Sequence, residues 1–238
     1  MESLSAAASY TLRFINQTNK SIFLTGKAGT GKTTLLKEII ATTHKNTVVV
    51  APTGIAALNA NGVTIHSMFQ LPFAAFIPDD KQILRHSETT KFENRDSLGR
   101  HFKMNSVKRS VIRSMELLII DEVSMLRADV LDAMDFMLRK VRRNDFPFGG
   151  VQVLFIGDLL QLPPVVKNDE WDILKTYYRG MFFFHSHIVQ QYPPLYIELD
   201  KIFRQTDAEF IDVLNHLRYN KITSDVGTVV KQCVPPTF

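Results

Sequence analysis

Apolar positions along the chain come in short continuous runs rather than in strict alternation with polar ones. The runs at 21–25, 47–51, 117–120, 151–156 and 195–199 each end in polar or glycine-bearing chemistry. A strand that is apolar at every position is buried on both faces, as in parallel sheets covered by helices. Between the runs the period becomes helical, at 32–43, 54–59, 124–143 and 208–218. The third of these carries Leu126, Val130, Leu131, Met134, Met137, Leu138 and Val141 at helical spacing, and Asp207 is the expected N-cap of the fourth. Strands alternating with helices predict an α/β fold. The rhythm breaks over 71–114, where Pro72, Pro78 and mixed charge predict a small insertion whose later half, 98–114, is basic without any acid. Beyond Asn220 the period is lost. The expected organisation is one domain over 1–220, with the insertion at about 71–114, and a truncated linker over 221–238.

Composition narrows the class without naming a chemistry. A chain of 238 residues with 45% hydrophobic and 22% charged residues can bury a sizeable core. No stretch approaches the apolar length of a membrane span, so no membrane partner is expected. The start lacks the basic and apolar regions of an export signal. Cys233 is the single cysteine, which excludes an internal disulfide framework and a cysteine-cluster zinc site and fits a reducing compartment. The expected location is cytoplasmic, a bacterial-type cytosol or nucleoid. A net charge of +4 suits a polyanionic partner but is too modest to decide for one.

The first apolar run leads into Gly26-Lys27-Ala28-Gly29-Thr30-Gly31-Lys32-Thr33, which fits G-x-x-x-x-G-K-[ST] between a strand and a helix. Glycines let backbone N–H groups close around phosphate oxygens, at a helix N-terminus that favours negative charge. Gly26, Ala28, Gly29, Thr30, Gly31, Lys32, Thr33 and Thr34 are the expected ATP-binding residues. Lys32 should reach the β- and γ-phosphates, and the Thr33 hydroxyl should ligate the Mg²⁺ that bridges them. The run 117–120 delivers Asp121 and Glu122 at its C-terminal end, where parallel sheets place their ligands. Asp121 is expected to hold Mg²⁺ and Glu122 to orient and deprotonate the attacking water. Gln161, after the run 151–156, carries an amide able to donate to a γ-phosphate and accept from water, although a simple turn explains it equally well.

Other segments leave two readings open. Thr53, Gly54, His66, Ser67 and Phe69 follow the second run, and hydroxyls with a stacking ring are the usual tools for gripping a single nucleic-acid strand. A lone Phe is more often core than platform. Arg204 lies just beyond the last run and could approach the triphosphate or be a solvated arginine. Arg139, Lys140, Arg142 and Arg143 read as cations offsetting a helix C-terminus. His185 and His187 have a spacing that could ligate metal from one strand face, or simply mark a strand leaving the core.

The segments Phe23 to Thr34, Ala51 to Ala57, Thr64 to Ser67, Ile119 to Met125, Gly157-Asp158 with 161–165, and Phe203-Arg204-Gln205 together resemble the PIF-type (petite integration frequency) DNA helicases of superfamily one, near the RecD branch. The resemblance spans about 15–220. It implies a P-loop NTPase, RecA-like domain with helices on both faces of a parallel sheet and a small inserted subdomain. It implies that Thr53, His66 and Ser67 touch single-stranded DNA, that Gln161 senses phosphate, and that Arg204 stabilises transition-state charge. It places the strand before Gln161 between those of the phosphate loop and Asp121. It further implies ATP-driven movement 5′ to 3′ along single-stranded DNA, together with a second RecA-like domain that this chain lacks. The expected state is a monomer. Where many relatives carry an adenine-reading Gln, about seventeen residues before the loop, this chain has Ser9. The basic residues Arg100, Lys103, Lys108, Arg109 and Arg113 are expected near the DNA path or fork. Two other classes remain: a nucleotide- and DNA-binding unit with negligible turnover, and a P-loop ATPase that remodels protein complexes.

Overall fold

The computed structural model describes residues 5–79, 91–101, 104–201 and His216. In chain order its elements are α1 (Ala6–Gln17), β1 (Ile22–Gly26), α2 (Lys32–Thr42), β2 (Thr47–Ala51), α3 (Gly54–Asn59), β3 (Val63–Thr64), α4 (Ile65–Phe69), β4 (Ala75–Phe76), β5 (Phe92–Glu93), α5 (Arg95–His101), α6 (Ser106–Ser114), β6 (Leu117–Ile120), α7 (Ala128–Arg142), β7 (Gln152–Ile156), α8 (Asn168–Leu174), α9 (His187–Gln191) and β8 (Leu195–Leu199). Six strands form one parallel sheet in the order β3-β2-β6-β7-β1-β8. β7 therefore lies between β6 and β1, as the resemblance implied.

The central strands are apolar throughout because each supplies two cores. Phe23, Leu118, Ile120, Val153 and Phe155 face one core, which is closed by α4, α6, α7 and α9. Their chain neighbours Ile22, Leu24, Leu117, Ile119, Leu154 and Ile156 face the other, with Leu35, Leu36 and Ile39 of α2 and Ala8 and Ile15 of α1. Period-two geometry with both faces covered produces this division. Buried Gln152 ties the layers: it accepts from Lys45 Nζ at 2.8 Å and donates to the carbonyl oxygens of Lys20 at 2.8 Å and Phe14 at 3.3 Å.

The long helix starts later than its apolar spacing predicts. Residues Val123–Met125 form a 3₁₀ turn and α7 begins at Ala128. The helix expected at 208–218 lies outside the described residues apart from His216, as do the linker at 221–238 and Lys103. Within 71–114, β4 pairs in parallel with β5, and α5 and α6 follow. α6 and α7 close each other's ends. Arg113 Nε donates to the Val141 oxygen at 3.2 Å, and Arg142 NH1 donates to the oxygens of Ile112, Arg113 and Met115 at 2.8–2.9 Å. Arg139 pairs with Asp135 at 2.8 Å and Lys140 donates to the Gly99 oxygen at 2.8 Å. The cations at this helix end thus complement carbonyls and an acid, as the electrostatics of a helix C-terminus favours.

Candidate nucleotide and strand site

β1 is paired on one side by β7 and on the other by β8, so the loop leaving Gly26 starts from a fixed point. A side chain at Gly26 could not fit: a Cβ there would lie 2.6 Å from Thr30 Oγ1 and 2.7 Å from the Leu199 oxygen. Gly31 caps α2 with φ +87°, a left-handed conformation that glycine adopts without cost, and contributes no side-chain cap. The first-turn N–H groups are those a helix cannot pair internally, and Thr33 and Thr34 stand exposed beside them. Thr30 plays a different part from the one expected of a ligand. It is buried, and both its N–H and its hydroxyl donate to the Lys27 oxygen, at 3.3 and 2.9 Å, which shapes the loop from within. Lys32 folds back over the loop, its Nζ donating to the oxygens of Gly26 at 2.5 Å and Lys27 at 3.0 Å.

β6 brings Asp121 and Glu122 to this ammonium. The Asp121 N–H continues the ladder to the Val50 oxygen at 2.9 Å, and Asp121 Oδ1 accepts from the Glu122 N–H at 3.0 Å. Glu122 sits at φ 51°, ψ 45°, left-handed backbone that costs a residue with a side chain about 1 kcal/mol and collects at functional sites. Burial lifts the Asp121 carboxyl above its ordinary value, opposed by the Glu122 N–H and the Lys32 charge. Burial also lifts Glu122, followed by repulsion from Asp121, with Lys32 opposing and Asp158 adding. Lys32, Asp121, Glu122 and Asp158 therefore form one electrostatic cluster at the ends of β6 and β7 and the start of α2.

Asp158, named above only within a segment that carries the resemblance, is the site residue to which sequence reasoning gave no role. It is 1% exposed; its Oδ1 accepts from the Leu160 N–H at 3.1 Å and its carbonyl oxygen from the Gln161 N–H at 2.9 Å. The available signal was an acid at the end of the strand adjacent to that of Asp121. Gln161 is exposed in the turn that Asp158 closes. Arg204 lies outside the described residues, although β8, which leads toward it, sets Leu199 opposite Gly26. Among the described residues no cluster of three or more His, Cys, Asp or Glu could hold a metal alone. The donors at hand, the Thr33 hydroxyl and the Asp121 carboxylate, are hard oxygens few in number, which fits Mg²⁺ carried in on phosphates.

The expected strand-contacting residues divide. Thr53 Oγ1 accepts from the Ala56 N–H at 3.3 Å and caps α3, whose first residue, Gly54, is exposed with open space at its Cβ position. Thr64 Oγ1 likewise accepts from the Ser67 N–H at 3.3 Å, capping α4, and Ser67 is exposed. His66 is half-buried; burial, then the Arg127 charge, lowers its pKa, with Asp129 opposing. Phe69 is no platform. It is 0% exposed and packs in the core beside Ile65 and Met68, because α4 turns that face inward. Of the basic residues in 98–114, Lys108 reaches this surface, its Nζ donating to the Ser67 oxygen at 2.6 Å, whereas Arg113 is committed to the α6–α7 junction. His185 ends a 3₁₀ turn and His187 starts α9, so neither lies on a strand; the His187 N–H donates to Asp132 Oδ2 at 2.9 Å.

Residues 7–227 match the model of the PIF1-like helicase family. The ATP-dependent DNA helicase PIF1 of Saccharomyces cerevisiae is 35% identical over 225 residues, covering 91% of this chain and 23% of that protein, and the human PIF1 helicase is 33% identical over 87% of this chain and 28% of that protein. Among solved structures, a Bacteroides Pif1 helicase in complex with ADP-AlF3 and ssDNA has a TM-score of 0.86 at 42% identity, over 100% of this chain and 51% of that one. The Candida albicans Pif1 helicase has a TM-score of 0.75 at 33% identity, over 100% and 49%. The chain thus spans about a quarter of these curated relatives and half of the solved ones.

Proposed function

Because the chain belongs to the PIF1-like helicase family, we propose that it is the first RecA-like motor unit of an ATP-dependent DNA helicase that moves 5′ to 3′ on single-stranded DNA. The observation that carries this reading is the convergence of Lys32 with Asp121, Glu122 and Asp158 beside the phosphate loop. The organisation proposed is a motor over 1–220 with its insertion at 71–114, working as a monomer in a reducing cytosol with a second RecA-like domain. Among the described residues no helix is long and apolar enough to cross a membrane.

ATP is the substrate. Lys32 releases the Gly26 and Lys27 carbonyls and takes the β- and γ-phosphate oxygens as a point charge, while N–H groups of the first turn of α2 hold the remaining phosphate oxygens. Thr33 and Asp121 would hold Mg²⁺, which neutralises charge developing between the phosphates when bound. Glu122 accepts the proton of the attacking water. Its raised pKa brings the carboxylate closer to operating pH, where general bases act best. Gln161, next to the buried Asp158, is proposed to report the γ-phosphate, and Arg204 to offset transition-state charge. Thr53, Gly54, His66 and Ser67 are proposed to hold the strand at the adjoining ends of β2 and β3.

A second reading, of a unit that binds nucleotide and DNA with negligible turnover, is supported by the half-length match to solved helicases. An ATPase assay with single-stranded DNA titrated in separates them. Stimulated hydrolysis that Glu122→Gln abolishes supports the motor; nucleotide binding with no hydrolysis supports the second. Hydrolysis indifferent to DNA, with no strand binding, would favour a P-loop ATPase acting on proteins and overturn both.

A further inference from the structure

The loop from α4 to β4 places an aromatic ring on the surface where the sequence around it is anchored inward. Leu71 and Ala75 are both buried, and between them Pro72 fixes the backbone while Phe73 is 87% exposed. Single exposed apolar side chains are common and carry no meaning by themselves. Phe73 differs in what lies beneath it. Its ring stacks on the His66 imidazole with centroids 4.7 Å apart and planes within 15°, so one face is covered and the other is turned to solvent. The backbone beneath that stack is fixed, because the His66 carbonyl accepts from the N–H groups of both Gln70 and Leu71 and closes the end of α4. His66 also lines a recess of about 10 Å³ with Leu71, Pro72 and Phe76, too small to admit a ligand.

We propose that the open face of Phe73, backed by His66, is a stacking platform for one nucleobase of a bound single strand. The proposal rests on the strand-binding reading above and moves its aromatic contact from buried Phe69 to Phe73. Two flat rings in near-parallel register present the surface a base extends, whereas a duplex base is already stacked on both sides. A cation stands near, since Lys108 Nζ donates to the oxygen of Ser67, the residue after His66, on a stem long enough to reach a phosphate. The exposed Ser67 adds a hydroxyl for the sugar-phosphate backbone. A ring for the base with a cation and hydroxyl for the backbone is the arrangement that grips single strands without reading sequence, because every base has a π-face.

The test uses the 238-residue chain and an oligothymidylate carrying one 2-aminopurine, followed by anisotropy and by 2-aminopurine fluorescence at several salt concentrations. Phe73→Ala should weaken binding about tenfold and remove fluorescence quenching at one register, with the salt slope unchanged. Phe73→Trp should restore both. Lys108→Ala should instead lower the slope by about one and leave the quenching. Wild-type affinity and quenching in Phe73→Ala would overturn the proposal and leave strand binding intact. A chain that binds no oligonucleotide at any salt concentration overturns both. Loss of affinity that Phe73→Trp does not rescue would show a role other than stacking and also overturn it.

Discussion

Glu122 combines a strained backbone with a carboxyl that folding pushes toward protonation. Its folded pKa and that of Asp121 both lie above their ordinary values of 4.5 and 3.8. The stability linked to these groups is therefore present below those values and is lost as pH rises through the folded ones. Glu122→Gln should accordingly raise the melting temperature of the nucleotide-free chain by about 2 °C at pH 7.5. The gain should shrink toward pH 4, as differential scanning fluorimetry would show. The same variant should lose turnover by about 10²–10⁴-fold while still binding nucleotide, because it removes the base and leaves the phosphate loop untouched. Lys32, Asp121 and Glu122 were legible because a phosphate loop and an acidic strand end each imply one geometry. Asp158 was given no role although the resemblance placed its strand beside β6, because the sequence does not show that its carboxyl is buried and faces Glu122. Phe69 was misread for a related reason: in a five-residue helix, spacing does not say which face turns inward.

At the scale of elements, the insertion and the long helix are held by a buried cluster that no periodicity announces. Arg127 donates to both oxygens of Asp129 at 2.9 and 2.8 Å and to Glu170 of α8 at 2.6 Å, while Asp129 also accepts from the Phe76 N–H of β4 at 3.0 Å. Removing the guanidinium leaves a buried carboxylate uncompensated, so Arg127→Met should cost about 3 kcal/mol in urea unfolding. Glu170→Gln keeps the Arg127–Asp129 pair and should cost less than about 1 kcal/mol. Arg142→Ala should cost about 2 kcal/mol, because it strips the carbonyl partners from the end of α6, and exposed Arg143→Ala should cost close to nothing. The central strands were legible because burial on both faces demands unbroken apolar runs. Helix α1 escaped notice because only Ala8, Thr11 and Ile15 face inward, a stripe too small and too polar to stand out. β3 escaped for its two-residue length.

Over the whole molecule, one edge of a single parallel sheet carries both proposed activities: phosphates at the ends of β1, β6 and β7, and the strand at the ends of β2 and β3. β2 is hydrogen-bonded to β6 along 47–50, so the carboxylates and the strand-gripping segments are fixed to one rigid frame. A frame of this kind holds two ligands side by side; relative movement requires a second body closing over both, which is why turnover and binding should separate in this chain. A non-hydrolysable ATP analogue with Mg²⁺ at a hundred times its dissociation constant should stabilise the chain by about 2.7 kcal/mol. Lys32→Ala should abolish that gain, and chelating Mg²⁺ should reduce it. Hydrolysis by the same preparation should be stimulated by saturating single-stranded DNA but stay below the rate reached when the chain is extended to the length of the solved helicases. Full, DNA-stimulated turnover by the 238 residues alone would show that the frame supplies every group the reaction needs, Arg204 included, and that closure by a second body serves movement along the strand instead of hydrolysis.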